Sequence, residues 1–229
     1  MNPIGEVIKN KNVSIVGPSK SLLGSKYGSE INSSEIVIRL NKSIPVPKEL
    51  YDDLGHKTDI LCTCLDDNPI TGGDINPLLW KKNGVSHILI PFPKNMFLTM
   101  PNSRNLNKVK QHIPFSFVDE KTYKTLEQKL KSSPTTGMSC LVEILRLEIN
   151  KLSLFGMDFY RTLPYEGYYP KNFDYKNHLK KVLNHGSKNM GNKIKSHNLD
   201  SEFEYFKNNL LNNDKLLIDK NLRILIENE

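Results

Sequence analysis

The chain has 229 residues, 38% of them hydrophobic, and a formal net charge of +7, enough length to bury a core as one globular unit or one domain with a lid. No run of about 18 apolar residues occurs and the opening "MNPIGEVIKNKNVSIVG" lacks the apolar stretch of a signal peptide, so neither a transmembrane segment nor export is expected. Three cysteines, Cys62, Cys64 and Cys140, are too few and too oddly spaced for a disulfide framework or a zinc ligand set, which fits a reducing compartment.

Short β-branched or apolar runs at residues 13–16, 36–40, 59–63, 87–90 and 152–155 alternate with segments of helical period, the pattern of βαβ units and a mainly parallel sheet. Gly17, Pro18 and Ser19 follow the first run, Asn41 follows the second, and "GMDFY" follows the fifth. Ligands of doubly wound sheets bind outside the carboxyl ends of strands, so these segments are expected to meet at one crevice. Helical periodicity is clearest over 119–131, 136–150 and 199–211, with Thr135 or Thr136 placed to cap the second helix behind Pro134. Residues 159–196 are rich in Tyr, Lys, Asn and Gly with little period, and read as a lid or acceptor loop on a single domain spanning 1–229.

The positive charge suggests an anionic partner, yet the lysines are scattered and diluted with asparagine. Without arginine clusters or interleaved aromatics, nucleic-acid binding is not expected. A P-loop is excluded because Gly17 and Gly24 lack the following Gly-Lys-Ser/Thr spacing, and Gly17, Gly24 and Gly28 are too far apart for a dinucleotide fingerprint. No Asp-x-Asp occurs either. A leaving group with one phosphate can instead be stabilised by hydroxyls and helix N-terminal amides without a metal.

"SIVGPSKSLLGSKYGSEINSSEIVIRLN", continuing through "DDLGHKTDIL", resembles the large sialylmotif of glycosyltransferase family 29, the eukaryotic-type sialyltransferases. "SPTTGMSCLVEIL" through "LSLFGMDFY" resembles the small sialylmotif, and "HNLDSE" matches the very short His-x-x-x-x-Glu motif. "GMDFY" is also similar to a stretch of the bacterial family 42 sialyltransferases. The resemblance implies a Rossmann-like α/β fold of the GT-A-variant sialyltransferase type, helices flanking its sheet. It also implies an inverting, metal-independent transfer of sialic acid from CMP-sialic acid to a glycan hydroxyl, with no cofactor. A CMP-Kdo-dependent transferase and a catalytically degenerate CMP- or glycan-binding module are the alternatives.

By the same resemblance Gly17, Pro18, Ser19 and Asn41 hold the cytidine monophosphate, and Thr135, Thr136 and Gly137 meet the donor's anionic groups at a helix N-terminus. His197 is the general base, with His185 and His178 as competitors. Tyr160, Tyr165, Tyr168 and Tyr169 fall in the tract that can serve the departing phosphate, with Tyr160 and Tyr168 taken as catalytic and Tyr165 as a further donor contact. Read alone, Asn41 is equally an ordinary strand-terminal turn residue, and Thr135 an ordinary N-cap. The animal enzymes carry a cysteine at the front of the large motif, where this chain has Val13 and Ser14, and a membrane anchor. The expected location is cytoplasmic, with peripheral membrane association left open.

Overall fold

The computed structural model describes residues 3–171, 173–175, 177 and 197–228. Seven parallel strands form one sheet: β1 (Asn12–Val16), β2 (Ile36–Leu40), β3 (Ile60–Cys62), β4 (His87–Ile90), β5 (Phe115–Phe117), β6 (Lys151–Phe155) and β7 (Leu216–Ile218), in the order β5-β4-β3-β2-β1-β6-β7. Parallel sheets are covered on both faces, and β2 shows it with five consecutive buried residues. One cluster, including Ile15, Ile38, Leu141, Leu152 and Phe203, packs the helices Glu120–Leu130, Thr136–Leu145 and Leu199–Tyr205 on the sheet. Two smaller clusters around Trp80 and Leu22 complete the core. Among the described residues no helix is long and apolar enough to cross a membrane.

The five expected strands are present within a residue or two of the expected limits. β5 and β7 were not expected; each is a three-residue edge strand without the continuously buried run that marks the equally short β3. The helix at 136 also stops earlier than its periodicity suggests. It ends at Leu145, and the amide of Asn150 donates to Lys11 O at 3.0 Å as the chain enters β6.

Arg39 is buried in β2 and is satisfied without a carboxylate. Its Nε donates to Lys57 O at 3.1 Å and Thr58 Oγ1 at 3.0 Å, and its Nη2 to Leu54 O at 2.8 Å. Burial pulls the guanidinium down to about 10. This bracing ties the "DLGHKT" segment to the strand that leads into Asn41.

The strand order reverses between β1 and β6, so the turns after these strands diverge and leave a crevice at their carboxyl ends. Two glycines let the turns touch. Gly17 N donates to Phe155 O at 2.8 Å, and a Cβ on Gly17 would lie 2.3 Å from Gly156 O. Gly156 itself has φ +60, a left-handed conformation that favours glycine.

Candidate active site

A cavity of about 440 Å³ opens over the carboxyl ends of the strands, in the size range of small-molecule sites, roughly 300–1,000 Å³. One wall carries Asn41, Thr135, Thr136, Tyr160, Tyr168 and His197. The facing wall comes from the loops after β3 and β4, with Asp66, Asp67, Thr71, Phe92, Asn102 and Arg104. A smaller pocket of about 60 Å³ shares Asn41, Thr135, Thr136, Tyr160 and Tyr168 and adds Pro18, Ser19, Gly137 and Asp158.

Asn41 stands just beyond β2 in the left-handed region, φ +48, which asparagine tolerates better than most residues. Its backbone amide donates to Cys62 O at 2.8 Å and its Oδ1 accepts from Cys64 N at 3.4 Å. The side-chain amide faces both cavities with its two donors uncommitted among the described residues.

Thr135 caps the helix Thr136–Leu145 by accepting from Met138 N at 3.2 Å. Its own amide and hydroxyl donate to Glu202 at 2.5 and 2.8 Å. Thr135 therefore lines the cavity but has spent its donors, and the amides of Thr136 and Gly137 are the ones left facing an anion at the helix N-terminus. Gly137 fits tightly, since a Cβ there would stand 3.3 Å from Leu40 Cδ1 and Met157 Sδ.

His197 lies at the start of the helix Leu199–Tyr205, which Asn198 caps. Its Nδ1 is 2.8 Å from Ser133 O. A carbonyl oxygen only accepts, so Nδ1 carries the proton and the neutral ring presents the Nε2 lone pair. Burial lowers the imidazole pKa below its ordinary 6.5, partly offset by the Ser133 carbonyl. Asn198 N donates to Ser132 Oγ at 3.1 Å. Glu202 bonds Thr135 while the histidine bonds Ser133, and with Asn198 the carboxylate fastens the 197–202 segment onto 132–135. Burial pushes the Glu202 carboxyl up to about 7, against the pull of its Thr135 bonds.

Phe159 and Tyr160 have φ +54 and +63, an uncommon conformation for side chains of this bulk. The Phe159 ring is locked against Phe206 and Phe203, with centroids at 4.9 and 5.5 Å. That anchor leaves Tyr160 on the cavity wall, still 42% exposed. The ordinary tyrosine pKa is already near 10, and burial raises the Tyr168 phenol above it, so both phenols are proton-bearing donors near neutral pH.

Two expected donor contacts, Gly17 and Tyr165, line neither cavity, and Ser19 lines the smaller one with its hydroxyl already engaged. Gly17 lines neither cavity; it holds the two turns together beneath them. Tyr165 lines neither as well. It is buried in the third core cluster, where Ser43 and the Arg39 charge draw its phenol pKa down against the larger effect of burial. Ser19 lines the smaller pocket, but its hydroxyl donates to Asp158 Oδ2 at 2.8 Å and accepts from Ser21 N at 3.0 Å. Asp158 also holds the amide and hydroxyl of Thr162. His178 and His185 lie outside the described residues. Tyr169 lines both cavities with Tyr160 and Tyr168, while Tyr175 and Asp158 line the site without having been singled out: Tyr175 sits in an irregular tract where spacing separates no residue from its neighbours, and Asp158 meets Ser19 only across the fold.

The family model for glycosyltransferase family 29 (sialyltransferase) matches residues 9–213. The chain belongs to glycosyltransferase family 29. It is a sialyltransferase-like glycosyltransferase. Among solved structures, the family 29 chain is similar to a mammalian sialyltransferase crystallised with Gal-beta-1-3GalNAc-ortho-nitrophenol. The identity is 16%, the TM-score 0.53, and the match covers 94% of this chain and 71% of that one. It is also similar to the Campylobacter jejuni sialyltransferase CstII in complex with the substrate analogue CMP-3FNeuAc, at 18% identity and TM-score 0.51, covering 93% and 88% of the two chains. CstII in complex with cytidine-5'-monophosphate matches at 18% identity and TM-score 0.51, covering 93% and 87%. At such identities the structural likeness speaks for the fold. No curated protein sequence matches the family 29 chain.

Proposed function

We propose that this family 29 chain is an inverting, metal-independent transferase that moves sialic acid, or a related ulosonic acid, from a CMP donor to a glycan hydroxyl. The observation that carries the reading is the His197 ring, held by Ser133 O so that Nε2 is the free base on the same cavity wall as Asn41, Thr136 and Tyr160. The CMP ligands of the similar CstII structures support the donor class.

Asn41 offers donors and an acceptor to the nucleotide, and Pro18 and Gly137 shape the smaller pocket. The acceptor enters over the facing wall. His197 Nε2 takes the acceptor hydroxyl proton as that oxygen attacks the anomeric carbon from the side opposite CMP. The bond from that carbon to the phosphate oxygen breaks, and its electron pair leaves on CMP. Phenols of Tyr160 and Tyr168, with the Thr136 and Gly137 amides, stabilise the charge that develops there. These neutral donors do what a bound cation does for a diphosphate leaving group. Of the expected lid, residues 172, 176 and 178–196 lie outside the described residues. Attack and departure on opposite faces invert the anomeric centre.

The test is transfer from CMP-Neu5Ac and CMP-Kdo to a glycan array, with and without EDTA, read by mass spectrometry and by NMR of the product anomer. An inverted product formed equally in EDTA is expected. Neither transfer nor hydrolysis of any CMP-ulosonate would reject the enzyme reading.

A further inference from the structure

We propose that Lys42 is a positioning residue, a latch that fastens the loop 66–73 to the tyrosine tract across the mouth of the cavity. The proposal rests on the donor and acceptor walls described above. Lys42 follows Asn41 directly, two residues beyond the end of β2. Its Nζ donates to Pro69 O at 2.5 Å and to Ile70 O at 3.0 Å. The same ammonium stands over the Tyr169 ring at 4.1 Å and the Tyr168 ring at 4.9 Å from the centroids. Among the described residues no carboxylate lies within ion-pair distance of it, so carbonyl dipoles and aromatic faces alone offset its charge. Such contacts are strongest where water is excluded.

The loop it grips is a unit in itself. Asp66 accepts from Asn68 N at 3.1 Å and Thr71 Oγ1 at 2.5 Å, Asn68 Oδ1 accepts from Ile70 N at 2.9 Å, and Gly73 N donates to Asn68 O at 2.9 Å. Gly73, with φ +81, admits the lysine stem, since a Cβ there would meet Lys42 Cβ at 2.6 Å. On its other side the loop is held by Asp67 and Arg104, an exposed pair at 3.7 Å that contributes little. Lys42 is thus the link between the loop that supplies Asp66, Ile70 and Thr71 to the facing wall and the tyrosines that face the leaving phosphate. With the latch closed, the acceptor is held against the donor and bulk water is kept from it. With the latch lost, water competes as acceptor.

Wild type, Lys42→Met and Lys42→Arg should be compared by amide hydrogen exchange and by the ratio of transfer to hydrolysis with CMP-Neu5Ac. Methionine keeps the length and loses the charge; arginine restores a cation that donates to carbonyls and stacks on rings. Lys42→Met is expected to speed exchange in both 66–73 and 165–171 by about tenfold, and to lower the transfer-to-hydrolysis ratio by a similar factor. Exchange in the helix Thr136–Leu145 should not change, and Lys42→Arg should stay within about threefold of wild type in both readouts. Wild-type exchange in the two segments of Lys42→Met, or a uniform acceleration over the whole chain, overturns the latch. If the wild type turns over no CMP-ulosonate, the enzyme reading fails, and the exchange comparison still decides the latch by itself.

Discussion

Gly17→Ala tests the contact that joins the two turns of the crevice. The added methyl carbon would sit 2.3 Å from Gly156 O, 2.9 Å from Gly156 C and 3.1 Å from Met157 Cα, all backbone atoms. No side-chain rotation relieves such a clash, so the turns after β1 and β6 must separate by about 1 Å, at a cost of roughly 1–3 kcal/mol. For a chain of this size that corresponds to a fall in melting temperature of about 3–10 °C. A shift of about 1 Å in the floor of the donor pocket should also lower transfer by about 100-fold. Gly24→Ala is the control: Gly24 has φ +79 but nothing within 4 Å of a Cβ, so alanine there costs about 1–2 kcal/mol of backbone strain and leaves transfer intact. Thermal melting followed by circular dichroism, with initial transfer rates, reads both effects. A Gly17→Ala protein that melts and transfers like wild type would refute the reasoning.

Tyr160→Phe removes one donor from the departing phosphate, and should cut kcat by about 100-fold or more while the Kd for CMP changes less than tenfold, measured by steady-state kinetics and calorimetry. The base must be unprotonated, and burial lowers His197 below 6.5, so the acid limb of kcat/KM should inflect below pH 6.5. An inflection above that value contradicts the burial of the ring. The folded Glu202 value of about 7 lies above the ordinary 4.5, so its stabilising share is present below 4.5 and is lost as the pH rises through 7. His197 works in the opposite direction, so the comparison is with Glu202→Gln: between about pH 4 and 8 the wild type should lose roughly 3 kcal/mol more than the variant in urea unfolding.

Much of this architecture was legible because parallel strands buried on both faces leave nearly continuous apolar runs, as β1, β2 and β4 do, interrupted only by Ser14, Arg39 and the terminal Asn12 and His87. The crevice followed from order, since Pro18, Asn41 and Tyr160 each stand just beyond a strand. What escaped the sequence depends on long-range placement. Ser19 meets Asp158 across 139 positions and Thr135 meets Glu202 across 67, and no local pattern encodes either. Tyr165 and Tyr168 are three residues apart in an irregular segment, where side-chain direction has no period; one is sealed near Arg39 and Ser43 and the other lines the cavity. Nothing local in the sequence singles out Lys42, because its partners come from two separate loops.

His197→Ala, followed by calorimetry with CMP and by transfer from CMP-Neu5Ac, tests the central claim most directly. On the proposed mechanism the Nε2 lone pair serves the acceptor and not the nucleotide, so the variant should bind CMP within about threefold of wild type and lose about 10²–10⁴ in kcat. Transfer retained within about tenfold of wild type would contradict the account.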